Sequence, residues 1–103
     1  MSEKPEILLF LSKNKERLKK KYHLTRIGVF GSVVRNDFSD DSDIDIIVEF
    51  EENTPDLYSI KLRLKEEIAE YFDKPVDICR EKYIKPIFKD KILSETVYVW
   101  AKS

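Results

Sequence analysis

The chain has a single cysteine, Cys79, among its 103 residues. No internal disulfide can form, and neither a cysteine-rich zinc site nor a thiol redox pair can be assembled, so a reducing cytoplasm is the expected setting. Glycine is nearly as scarce: Gly28 and Gly31 are the only two and stand together in one short segment, which excludes a flexible glycine-rich linker. No apolar run approaches the roughly 18 residues that a spanning helix needs. The first residues, Met1 to Glu6, carry charge and a proline, unlike an export signal. No membrane is expected among the partners. Repeats and low-complexity tracts are also missing, so residues 1–103 read as one domain with a single modest core.

An excess of one charge sign is absent as well, with 19 basic and 20 acidic residues and a net charge of -1. Direct nucleic-acid binding is therefore not expected. The distribution is uneven, however. Seven bases lie between Lys13 and Arg26 against the single acid Glu16, whereas the nine acids from Asp37 to Asp56 include no base between them. That acidic region would repel a triphosphate unless cations intervened. The basic helix reads as a solvated face that could also dock an acidic partner.

Hydrophobic residues make up 42% of the chain, enough to fold as a globule. Leu8, Leu11, Leu18 and Tyr22 share one helical face, which predicts an amphipathic helix from about Pro5 to Tyr22 with Ser2 as its cap. Arg26 to Phe30 is a β-branched and aromatic run that ends at Gly31-Ser32, and a short helix is expected from Ser32 to about Arg35. Asp43 to Phe50 predicts a strand with Ile44, Ile46 and Val48 on one face and Asp43, Asp45 and Ile47 on the other. Leu57, Ile60, Leu64, Ile68 and Tyr71 predict a helix from about Pro55 to Phe72. Val76 to Cys79 predicts a short strand, Pro86 opens another helix, and Val97 to Trp100 predicts a last strand. The pattern implies a mixed α/β (α+β) fold, a small mixed sheet of about four strands with helices packed on one face.

Asp43 and Asp45 project from one side of their strand, roughly 6.5 to 7 Å apart along the backbone. Two acids so close repel, and Mg²⁺ removes the penalty because it takes carboxylate oxygens while leaving positions for substrate phosphates. An Asp-x-Asp taken alone is common, and Asp43 could simply cap a helix or turn while Asp45 faces water from the strand. The apolar neighbours Ile44, Ile46, Ile47 and Val48 mark a central strand, where two unpaired acids are out of place. Asp77 stands likewise between Val76 and Ile78, either as a third member of the set or as an edge residue facing water. Gly31-Ser32, following a strand, can bring backbone N–H groups close to a phosphate; the plainer reading is a tight turn whose serine caps a helix.

These pieces stand in a fixed order: Gly31-Ser32, ten residues, then Asp43-Ile44-Asp45. The arrangement resembles the Gly-Ser-x10-Asp-x-Asp signature of the DNA polymerase beta-like nucleotidyltransferase superfamily. Within it, Phe30 to Arg35, Ser42 to Val48 and Pro75 to Ile78 are similar to the minimal nucleotidyltransferase (MNT) proteins. Asn36 stands where many relatives have glycine, and asparagine tolerates the left-handed conformation best after glycine.

The resemblance implies that Gly31, Ser32, Arg35 and Ser42 contact the nucleotide, Arg35 mainly by steadying the loop. It implies that Asp43, Asp45 and Asp77 ligate two Mg²⁺ ions, with Mn²⁺ as a substitute, and that Asp77 helps deprotonate the attacking hydroxyl. Two ions about 4 Å apart neutralise both attacking and leaving oxygens. ATP is the implied substrate. MNT proteins are similar to the antitoxin halves of HEPN/MNT toxin–antitoxin pairs, which implies transfer of AMP to a tyrosine of a HEPN ribonuclease partner. Two other classes remain open: a nucleotidyltransferase acting on a small-molecule hydroxyl, and a catalytically silent module that neutralises its partner by contact.

Overall fold

The computed structural model describes residues 6–31 and 43–101, which form four helices and four strands. In chain order they are α1 (Glu6–Lys13), α2 (Lys15–Tyr22), β1 (Leu24–Phe30), β2 (Ile44–Phe50), α3 (Leu57–Phe72), β3 (Val76–Arg80), α4 (Pro86–Glu95) and β4 (Val97–Ala101). A short 3-10 turn, Glu81–Tyr83, precedes α4. The Ser2 cap and the short helix from Ser32 to Arg35 lie outside the described residues. No helix among those described is long and apolar enough to cross a membrane.

The expected first helix is two helices, bent at Asn14 (φ -104, ψ 17). Asn14 Nδ2 donates to the Phe10 carbonyl at 2.8 Å, the same oxygen that accepts the Asn14 backbone N–H at 3.1 Å. Asparagine offers this local alternative to the helical ladder, and the chain turns there. The bend lets both halves reach the core, α1 through Ile7, Phe10 and Leu11 and α2 through Leu18 and Tyr22. With glycine so scarce, His23 and Asp73 end α2 and α3 in the left-handed conformation, at φ 55 and 54, and their N–H groups bond the Lys19 and Ala69 carbonyls.

The strand order is β3-β2-β1-β4, with β2 parallel to β3 and β1 antiparallel to β2 and β4. Alternation gives the sheet two faces. Ile27, Val29, Ile44, Ile46, Val48, Val76 and Ile78 are buried with Leu64 and Ile68 of α3 and with the apolar residues of α1 and α2. Glu67 fastens this side, accepting hydrogen bonds from Arg17 at 2.6 Å, Lys21 at 3.4 Å and Tyr22 at 2.5 Å. Part of the basic helix therefore serves the fold itself.

The other face carries Asp45, Ile47, Gly28 and Tyr98, and Glu81 and Thr96, on either side of α4, meet it at Tyr98 and at Gly28. The crossover from β2 to β3 steps outward with α3 on the core face. The one from β3 to β4 steps back across the whole sheet. Right-handed parallel crossovers in opposite directions place their helices on opposite faces. Glu81 accordingly accepts from Arg26 Nη1 at 2.7 and 3.0 Å and from Tyr98 Oη at 3.0 Å. The mixed class, the four-stranded mixed sheet and the helices α1 to α3 on one face match the sequence reading.

Candidate functional site

Asp45 on β2 and Asp77 on β3 are register partners in the parallel pairing. Neighbouring strands lie about 4.8 Å apart, so the two carboxylates leave one face side by side. The Ile44 N–H donates to the Pro75 carbonyl at 2.9 Å, fixing the two strands together where the acids begin. Asp43 immediately precedes β2 and is exposed, Asp45 is half-buried and Asp77 is exposed. Across the antiparallel pairing Asp45 faces Phe30, the last residue of β1, and the chain then turns at Gly31.

Gly31 is buried with φ +78, a conformation that other residues rarely adopt. A β-carbon there would collide with Asp45 Oδ2. The turn and the acid are thus packed as one unit. Gly28 permits another close approach: its β-carbon would lie 2.7 Å from Thr96 Cγ2 and 3.0 Å from Tyr98 Cδ1, so the start of β4 closes over β1 at this point. Ser32, Arg35 and Ser42 lie outside the described residues.

Cys79 sits two residues beyond Asp77 and pairs in register with Ile47. Burial pushes its thiol up to about 11, with the Asp77 and Asp45 charges adding and Lys61 opposing. The thiol therefore stays protonated at neutral pH, unfit as a nucleophile. The acids make themselves felt there, and so does a cation from α3. Sequence pattern placed neither residue beside the acids, because β3 is too short to reveal its neighbours and Lys61 belongs to an ordinary charged helix surface. At the far end of the sheet, burial would raise Glu81, but the hydrogen bonds from Arg26 and Tyr98 hold it below its ordinary value. That cluster fastens the segment leading to α4.

Among the described residues no three His, Cys, Asp or Glu side chains gather into a ready-made metal cage. Mg²⁺ does not require one, since it is bound through one or two carboxylates together with water and substrate phosphates. The hard oxygen donors of Asp45 and Asp77, with Asp43 just upstream, fit that ion.

Comparison with known proteins agrees with this fold. The nucleotidyltransferase domain family matches residues 11–99. The protein adenylyltransferase MntA of Thermococcus cleftensis is 36% identical over 94 residues, covering 91% of this chain and 93% of that protein. A Methanocaldococcus jannaschii chain, provisionally named a protein adenylyltransferase, is 39% identical over 95 residues, covering 91% and 95%. Among solved structures, one described provisionally as a minimal nucleotidyltransferase superposes with a TM-score of 0.72 at 30% identity, over 89% of this chain and 92% of that one. The complex of a tri-AMPylated Shewanella oneidensis HEPN toxin with an MNT antitoxin gives a TM-score of 0.62 at 18% identity, over 92% and 73%, a likeness of fold.

Proposed function

This chain belongs to the nucleotidyltransferase domain family, and from that premise we propose that it transfers AMP from ATP to a tyrosine hydroxyl of a HEPN ribonuclease toxin, acting as the antitoxin of the pair. The parallel register of Asp45 and Asp77, with Gly31 seated against Asp45, carries this reading. A protein as acceptor is supported by the name of the Thermococcus cleftensis relative. A HEPN toxin as that protein is supported by the Shewanella oneidensis complex, whose antitoxin shares this fold.

In the reaction the acceptor oxygen attacks the α-phosphorus, the bond from that phosphorus to the bridging oxygen breaks, and pyrophosphate leaves. Asp43, Asp45 and Asp77 would hold the Mg²⁺ ions, which when bound neutralise charge on the triphosphate and on the departing pyrophosphate. Asp45, half-buried and pressed against Gly31, is the fixed member of the set. Asp77 is exposed and can meet an incoming hydroxyl, so a Asp77 carboxylate oxygen takes its proton. Gly31 opens the turn so that backbone can approach the phosphates, and Ser32, Arg35 and Ser42 are assigned to the nucleotide from their place in the motif.

Incubating the chain with ATP labelled at the α-phosphate, Mg²⁺ and a HEPN-domain protein from the same organism should place label on a tyrosine of that protein. Asp45→Asn should leave it unlabelled. Neutralisation of the partner without label, or label passing only to a small molecule, would refute the proposal.

A further inference from the structure

Strand β1 sends alternate side chains to the two faces of the sheet. Ile27 and Val29 are buried in the core, so Gly28 and Phe30 belong to the face of the acids. The β1–β2 register runs without a break from Arg26 to Phe30 and pairs Phe30 with Asp45, which the parallel register in turn pairs with Asp77. Phe30, Asp45 and Asp77 therefore leave one face in a single row across three strands. Register partners have β-carbons about 4.5 to 5.5 Å apart, so the ring and the carboxylate are immediate neighbours.

One row inward the face is closed. Ile47 is fully buried, and the space in front of Gly28 is taken by Thr96 and Tyr98. In the outer row Phe30 and Asp45 are half-buried and Asp77 is exposed. The surroundings of Asp45 are thus unequal: Gly31 meets its Oδ2, Ile47 lies two residues along the same strand, Phe30 stands on the β1 flank, and the β3 flank carries a second carboxylate. Phe30 has no hydrogen-bonding side-chain atom, so what it does for the reaction it does through Asp45. A ligating carboxylate must be held within about 0.5 Å by packed neighbours. A ring against one flank also keeps water from it, which strengthens its hold on a cation.

We propose that Phe30 is the positioning residue of Asp45: its ring closes the β1 flank of the carboxylate and directs it toward Asp77, so that a divalent cation is gripped between the two acids. This inference rests on the metal-binding reading of Asp45 and Asp77 above and adds the residue that orients the first of them.

The test is calorimetric titration of the full chain with Mn²⁺ alone, for the unaltered protein, Phe30→Ala, Phe30→Tyr and Asp45→Asn, with urea denaturation to establish that each variant is folded. Phe30→Ala should bind Mn²⁺ about tenfold or more weakly. Phe30→Tyr, which keeps the ring, should bind as the unaltered chain does. A side chain that merely fills space would lower the urea midpoint of Phe30→Ala and leave the affinity of the folded variant unchanged, and that result would overturn the proposal. So would a loss of affinity that Phe30→Tyr fails to restore. If Phe30→Ala does not fold, Phe30→Thr replaces it, a β-branched residue that suits a strand and lacks the ring. An unaltered chain with no Mn²⁺ affinity, or with an affinity that Asp45→Asn leaves intact, would sink the metal site and this inference together. Mn²⁺ binding that follows the expected pattern while no HEPN-domain protein takes label would instead sink the transfer reading and leave the role of Phe30 standing.

Discussion

The α-carbon of Gly31 rests against the carboxylate of Asp45, with no room for a side chain between them. Backbone conformation and acid position are therefore a single constraint. In Gly31→Ala the residue must hold φ +78 with a β-carbon and displace Oδ2 of Asp45 as well. The expected cost is about 1 to 2 kcal/mol of stability, from the left-handed conformation alone, together with loss of nucleotide transfer. A thermal melt and the labelled-ATP assay read the two effects. Transfer within twofold of the unaltered chain would show that the acid does not need this seat.

Asp77 is exposed on a strand whose neighbours Val76 and Ile78 are buried, so Asp77→Asn should leave the fold intact. Transfer should nevertheless fall about 100-fold or more, as expected when a group facing developing charge is removed. Calorimetry should also show weakened Mg²⁺ binding in the variant. Undiminished transfer would remove Asp77 from the site.

Glu67 should make the protein acid-sensitive. The Arg17 hydrogen bond, opposed by burial and aided by Tyr22, lowers its carboxyl from 4.5 to about 2. The stabilisation is fully present above about pH 4.5 and disappears as pH falls toward 2. Because Arg17 and Lys21 are solvent-exposed, it amounts to about 1 kcal/mol after screening. Urea denaturation between pH 6 and 2.5 should show the unaltered chain losing that much more stability than Glu67→Gln. Parallel curves would place the acid sensitivity elsewhere.

Asp73 ends α3 at φ 54, where glycine is the usual residue. It is not one of the three acids of the site, so Asp73→Gly should raise stability by about 0.5 to 1 kcal/mol with transfer unchanged. A melting temperature that stays level or falls would mean that Asp73 makes a stabilising contact of its own.

Local pattern made much of this legible. The alternation from Ile44 to Val48 declared a strand and set Asp45 on the side opposite Ile44 and Ile46, because side-chain direction in a strand depends only on parity. The spacing of Leu57, Ile60, Leu64 and Ile68 declared α3 for the same kind of reason. The first helix was harder to read: Leu8 to Tyr22 keep a helical period straight through Asn14, and only the competition for the Phe10 carbonyl reveals the bend. The spacing Gly31-Ser32-x10-Asp-x-Asp carried the family resemblance, whereas the seat of Gly31 on Asp45 became visible only across the β1–β2 pairing.

Which elements form, and which acids stand among apolar neighbours on them, was determined by the amino-acid sequence, since both follow from interactions within a few residues. That Asp77 stands beside Asp45, 32 positions earlier in the chain, and that Glu81 reaches Arg26 and Tyr98, was decided by the tertiary structure. Strand register and crossover handedness arise from pairing between distant segments, and no local periodicity records them.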